Sequence, residues 1–145
     1  MRKRASEKVV CYVVCDDQLL VFTHSDVPLE EAGVQVPAGT VRMGEDPAAA
    51  AIREVREETG LDTTVVRKLG VSTYDLSPMR FEVATRHFYL LETIDRSLVA
   101  ERWQPSEHDP EHGGGDHRWE CWWMPLQQAH VLSSGLGLMV GALYN

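Results

Sequence analysis

Long apolar runs are missing from this sequence. The two longest, Val9 to Cys15 and Leu19 to Phe22, are separated by Asp16 and Asp17 and fall far short of the roughly twenty residues that cross a bilayer. A transmembrane helix is excluded. A secretory leader is not expected: Met1-Arg2-Lys3-Arg4 is basic, but the apolar stretch behind it runs into Asp16-Asp17 without a small-residue cleavage site. Cysteine is scarce, at three residues, which is an odd number. Cys11 and Cys15 on one strand would stand about 13 Å apart, too far to bridge. A disulfide framework is therefore excluded, and a reducing cytoplasm is the expected location. Positive charge is also short. Fourteen Lys and Arg face 22 Asp and Glu, for a net charge of -8, which repels the phosphate backbone of long nucleic acids. An anionic substrate then requires a metal ion.

What is present is the composition of an ordinary soluble domain. Hydrophobic residues make up 43% and charged residues 25% of 145 residues, so disorder and coiled coil are excluded and one domain over residues 1–145 is expected. No internal repeat occurs. Lys8 to Cys15 and Gln18 to Thr23 are β-rich, with Asp16-Asp17 between them as a hairpin turn. His24 to Gly33 reads as a loop, Val34 to Pro37 as a short extended piece, and Ala38 to Glu45 as a second loop. Asp46-Pro47 is an N-cap followed by proline at the first helical position, and Gly60 supplies the stop. At about 100° per residue, Ala48, Ile52, Val55 and Thr59 share one side of this helix as its packing face. Glu54, Glu57 and Glu58 share the opposite, solvent side. Thr63 to Tyr74 and Phe81 to Glu92 predict two more strands around Ser77-Pro78. Thr93 to Asp116 is a long loop, and its segment Glu107 to His117, with Gly113-Gly114-Gly115, is expected to be mobile in the free protein. Trp119 to Met124 predicts a strand, and Leu126 to Tyr144 a helix interrupted around Ser133 to Gly137.

Three glutamates on one helix face repel one another, since like charges at i,i+3 and i,i+4 are destabilising. A solvated acidic face is the bland explanation. The alternative is a hard divalent cation, which takes oxygen ligands and draws carboxylates at this spacing to a common point. Glu45, just before the helix, can reach the same neighbourhood, and Gly39 and Gly44 permit tight backbone there.

The spacing decides between the two. Gly39, then Glu45, then Arg53-Glu54-Val55-Arg56-Glu57-Glu58-Thr59-Gly60-Leu61 resembles the complete Nudix box: glycine, five residues, glutamate, seven residues, Arg-Glu, an aliphatic, any residue, Glu-Glu, any residue, glycine, an aliphatic. Every fixed position matches. The resemblance implies an α/β/α sandwich with a mixed central β-sheet, and hydrolysis of a nucleoside diphosphate linked to another moiety. It implies that Glu54, Glu57 and Glu58 bind magnesium or manganese with help from the Gly39 carbonyl or Glu45, and that Arg53 orients the glutamates. The base that deprotonates water is not set by the box. Glu111, Asp116 and Glu120 are its candidates, and Glu120, near the start of a strand, is preferred to acids in a glycine-rich loop.

Two other clusters stand out. His108 and His112 are four apart, as in zinc-binding helices, but Pro110 between them and the glycines behind them make a helix implausible. Of Trp122 and Trp123, strand alternation turns one to the core and one outward, where a nucleobase could stack as a substrate-binding surface. The substrate stays open. Val36-Pro37-Ala38-Gly39 is similar to relatives that cut ADP-ribose and nucleotide sugars, whereas Tyr74 and Pro78 fit neither the dinucleoside polyphosphate nor the ADP-ribose subtype marker, and the length suits nucleoside triphosphates equally. A small nucleotide is the expected partner, without membrane, and a homodimer is left open. A non-catalytic nucleotide sensor is the rival of another class, disfavoured because every box glutamate is kept. An RNA 5′-end pyrophosphohydrolase is the third reading, disfavoured by charge and by the absence of a basic stripe.

Overall fold

Residues with branched and aromatic side chains open the chain and form an antiparallel pair, β1 (Arg4–Cys15) and β2 (Gln18–His24). Asp16 and Asp17 join them with φ of 50° and 62°. A two-residue hairpin loop needs both central residues in the left-handed region, and aspartate tolerates that region better than most side chains. The computed structural model of the chain describes residues 3–24, 33–94, 102–103, 119–132 and 136–144. The elements that follow are β3 (Ala38–Thr40), α1 (Pro47–Thr59), β4 (Thr63–Asp75), β5 (Glu82–Thr93), β6 (Arg102–Trp103), β7 (Trp119–Pro125) and two 3-10 helices, Leu126–Val131 and Val140–Tyr144. The histidines of the zinc-like cluster and the segment Glu107 to His117 lie outside the described residues.

The sheet is mixed, in the order β4-β5-β1-β2-β7-β6, with β3 beside β1. Among the described strands the parallel pairing joins β1 to β5, from Arg4 opposite Glu82 to Val13 opposite Leu91. On its other edge β1 takes β3 at Lys8 to Val10 and β2 at Val14 and Cys15. Val9 to Val13 are buried without a break because both faces of this central strand are covered. Alternation divides the core in two. Val9, Cys11, Val13, Leu20, Phe22, Tyr89, Leu91 and Cys121 pack against Ala50, Ala51 and Val55 of α1. Val10, Tyr12, Leu19, Val21, Phe88 and Met124 pack against Leu126, Ala129 and Leu136. The Tyr12 hydroxyl donates to the Leu136 carbonyl and accepts from the Met139 amide, tying that second layer to the sheet.

Two expectations are corrected. The C-terminal segment forms 3-10 helices, not one interrupted α-helix; Gly137 and Gly141 lower its helix propensity, and short 3-10 pieces suffice to cover a sheet. The packing face of α1 is also rotated from that expected. Its buried residues are Ala50, Ala51, Glu54, Val55, Glu58 and Thr59, so two of the three glutamates face the sheet and not solvent. Alanines at 50 and 51 let the helix approach β1 closely, and the Cys11 thiol lies 3.6 Å from the Ala51 carbonyl.

Candidate active site

The helix boundaries set the site. Pro47 starts α1 at its first turn, and Gly60, with φ of 81°, ends it while its amide donates to the Arg56 carbonyl. Asp46 has the extended backbone of an N-cap, but its side chain makes no capping bond. The thirteen residues between place Arg53, Glu54, Glu57 and Glu58 on successive turns facing β3 and the loop that precedes the helix.

Gly39 of β3 is required by close approach. A Cβ built there would lie 2.1 Å from Glu54 Cδ and within 2.4 Å of both its oxygens, so the carboxylate occupies the space of a side chain. Next to it, the Ala38 amide donates to Glu58 Oε2 at 3.1 Å. Arg53 is the hub of the remaining acids. Its guanidinium grips Glu45 with Nε at 2.8 Å and Nη2 at 2.9 Å, a bidentate pair, and Nη1 reaches Glu54 at 2.9 Å and Glu57 at 3.1 Å. Nη2 also donates to the Thr40 carbonyl at 2.9 Å, which anchors the loop. Glu45 accepts a further bond from the Arg42 amide, and Arg42 Nη2 lies 3.4 Å from Glu57. The structure thus brings Gly39, Glu45, Arg53, Glu54, Glu57 and Glu58 together.

The electrostatics follow from this arrangement. The Arg53 hydrogen bonds hold the Glu45 carboxyl down at about 2. Burial, reinforced by Glu58 and Glu54, pushes the Cys11 thiol up, and burial with Glu58 raises Cys121 to about 12. Four carboxylates against two guanidiniums leave this end of α1 negative. The donor set suits a hard divalent cation: it is all oxygen, and the Gly39 gap brings a backbone strand against Glu54. Among the described residues no three acidic, histidine or cysteine side chains already converge on one point. Holding an ion therefore requires at least one carboxylate to turn away from its guanidinium. Glu57 can do so most readily, with 20% of its side chain exposed against 1% for Glu54.

The other predicted residues are placed elsewhere. On β7, Cys121 and Trp123 pack on the α1 side while Trp122 and Met124 pack on the opposite side. Alternation sends Glu120 with the latter pair, while Cys121 borders α1, with its sulfur 3.9 Å from the Glu58 carbonyl. Glu111 and Asp116 lie outside the described residues. Trp122 and Trp123 are both half-buried, one on each face of the strand. Trp123 lies against Trp103, with ring centres 6.4 Å apart, and the Trp103 indole donates to the Thr59 carbonyl at 2.8 Å, clamping β6 to the end of α1. Arg42 was missed. A signal existed, since it is the only basic residue between Lys8 and Arg53.

Comparison with known proteins shows the family and the fold. A family model described as the NUDIX domain matches residues 6–137. A protein from Brucella abortus named RNA pyrophosphohydrolase is 33% identical over 99 residues, covering 63% of this chain and 54% of its own length, so the chain spans about half the length of the curated relatives it matches. Among solved structures, a MutT NUDIX hydrolase from Burkholderia pseudomallei has a TM-score of 0.68 at 19% identity, covering 97% of this chain and 99% of that one. A NUDIX hydrolase from Nitrosomonas europaea has a TM-score of 0.67 at 16% identity, covering 97% and 87%. At such identities the likeness to these two structures is one of fold.

Proposed function

The chain belongs to the NUDIX family of hydrolases, and from that premise we propose that it acts as one domain, residues 1–145, cutting a pyrophosphate bond in a nucleoside diphosphate linked to another moiety. The reading rests on one observation: three of the box carboxylates, Glu45, Glu54 and Glu57, gather around Arg53 beside the gap at Gly39, and the fourth, Glu58, is held by the neighbouring Ala38 amide. Glu54, Glu57 and Glu58, with the Gly39 carbonyl and Glu45 in support, would hold a divalent cation, magnesium or manganese, which would supply charge neutralisation at the pyrophosphate and lower the pKa of water. Arg53 fixes the orientation of three carboxylates at once, which lowers the cost of assembling them. The Ala38 amide does the same for Glu58. Glu57 is the carboxylate most open to an approaching pyrophosphate. Among the described residues no helix is long and apolar enough to cross a membrane, and three free cysteines suit the cytoplasm.

A second reading, an RNA 5′ end as substrate, is favoured by the name of the Brucella relative and opposed by the net charge of -8. One experiment serves both. A nucleoside triphosphate, a dinucleoside polyphosphate, ADP-ribose, a nucleotide sugar and a 5′-triphosphate RNA are incubated with magnesium or manganese in isotopically labelled water, and both products are identified. A mononucleotide product with label on one phosphate is expected, and Glu57→Gln should lower turnover at least about a thousandfold. Undiminished turnover in a folded Glu57→Gln protein, or in chelator, would refute the metal-assisted mechanism.

A further inference from the structure

Two guanidiniums meet at Glu57, and they are held very differently. Arg53 bonds one oxygen of Glu57 at 3.1 Å, and Arg42 Nη2 reaches the other at 3.4 Å. A guanidinium has five N–H groups. Those of Arg53 match its five bonds, two to Glu45 and one each to Glu54, Glu57 and the Thr40 carbonyl. Its side chain is 15% exposed, so it is committed to the carboxylates and to β3. The Arg42 side chain is 51% exposed, and its contact with Glu57 is longer than the usual hydrogen-bond range.

The backbone beneath Arg42 is fixed all the same. The Glu45 amide donates to the Arg42 carbonyl at 3.0 Å, closing a turn whose third residue, Gly44, has a φ of 78°. The Arg42 amide donates to Glu45 Oε1 at 3.0 Å, and Arg53 grips Glu45 in its turn. None of these contacts uses the Arg42 side chain. Residues 40–45 border a cavity of about 550 Å³, so the guanidinium can swing without displacing packed side chains. Arg42 combines an anchored base with a head that can move.

Charge balance says what that head meets. Glu45, Glu54, Glu57 and Glu58 exceed the two guanidiniums by two charges, so one divalent cation balances the cluster and leaves no net positive charge for an anionic substrate. Once Glu57 turns to such a cation, Arg42 loses this carboxylate and stands beside added positive charge, which drives it outward. A guanidinium displaced there suits a phosphate oxygen, with which it forms charge-assisted bonds. We infer that Arg42 is a substrate contact: it holds Glu57 in the metal-free protein and passes its guanidinium to a phosphate oxygen of the substrate when Glu57 turns to a divalent cation. The inference rests on the pyrophosphohydrolase reading.

The test reads two affinities that move in opposite directions in Arg42→Met, a change that spares the backbone bonds of the turn. Manganese is titrated into the metal-free protein and followed by electron paramagnetic resonance. Removal of the competing guanidinium should tighten its binding about two- to fivefold. Imidodiphosphate, a diphosphate analogue whose bridge resists hydrolysis, is then titrated into the manganese-saturated protein by calorimetry. Its dissociation constant should rise about ten- to a hundredfold. Arg56→Met removes an exposed cation of the same helix, one that lies 3.5 Å from Asp62, and should leave both constants within about twofold. For the substrate that is cut, KM should rise in Arg42→Met by the same factor as the imidodiphosphate constant, with kcat nearly unchanged. Should Arg42→Met fail to fold, Arg42→Gln carries the same test. Manganese binding that is unchanged or weaker in the variant, or an unchanged imidodiphosphate affinity, overturns the inference, while turnover by the parent keeps the enzymatic reading. A parent that binds manganese but neither binds imidodiphosphate nor cuts any nucleotide overturns that reading and the inference with it.

Discussion

Replacing Gly39 with alanine isolates the closest contact in the candidate site. Its backbone is outside the left-handed region, so alanine brings no conformational strain and the effect is one of space alone. The new Cβ would stand 2.1 Å from Glu54 Cδ, where carbon atoms in contact keep about 3.5 Å or more. Glu54 must withdraw by more than about 1 Å. It is fully buried, and its carboxylate is held at 2.9 Å by Arg53, so withdrawal breaks that bond. Overpacking costs about 1–3 kcal/mol, and the lost charge-assisted bond costs about 1.5–3 kcal/mol. For a chain of this size each kcal/mol lowers Tm by about 2–4 °C, so Gly39→Ala should melt about 5–20 °C below the parent by calorimetry. The second half of the test is rescue. Shortening the partner with Glu54→Asp in the Gly39→Ala background withdraws the carboxylate by one methylene, and the double-mutant cycle should give a favourable coupling of at least about 1 kcal/mol. A Gly39→Ala protein that melts with the parent, or a cycle with no coupling, would refute the close-approach argument.

Two further outcomes are expected. Glu45 has its pKa depressed in the folded state to about 2 from an ordinary 4.5, so its contribution to stability is present above about pH 4.5 and is lost as pH falls through 2. Urea unfolding from pH 7 to 2 should show that loss in the parent, and a clearly shallower one in Arg53→Met, which removes the guanidinium responsible; identical profiles would contradict the assignment. Of the three free thiols, Cys11 and Cys121 are buried with raised pKa while Cys15 is half-buried, so a thiol reagent at pH 8 should find one reactive cysteine in the native protein and three in denaturant.

Local chemistry made much of the fold legible. The two aspartates of the first hairpin, the proline and glycine that bound α1, and the β-rich runs of β4, β5 and β7 all act through neighbours in sequence. The misreadings concern tertiary partners. A helical wheel assigns Glu54 and Glu58 to solvent because carboxylates are costly to bury; Arg53 and the Ala38 amide each bond one oxygen of these buried groups, and neither partner enters a hydrophobic pattern. Glu120 and the two tryptophans were undecidable for another reason. A shift of one residue in the pairing of β7 with β2 exchanges its faces, and the register, Leu20 opposite Trp123, is set by the assembled sheet.

The cluster at α1 also explains why charge repulsion on this helix is tolerable without being removed. In an isolated helix a like-charged pair at this spacing costs only about 0.2–0.5 kcal/mol, because water screens it. Glu54 and Glu58 are 0% and 2% exposed, so screening is weak and their mutual repulsion is larger. Arg53 offsets part of it by touching Glu45, Glu54 and Glu57 together, and Arg42 offsets a little more at Glu57. The thiols of Cys11 and Cys121 are pushed upward chiefly by burial, and Glu58 adds to the shift of both. A monovalent partner answers one such charge, whereas a divalent cation answers two at one point and leaves room for an anionic substrate beside it. The arrangement that makes these carboxylates expensive in the bare fold is thus the one that gives a divalent ion the greatest advantage there.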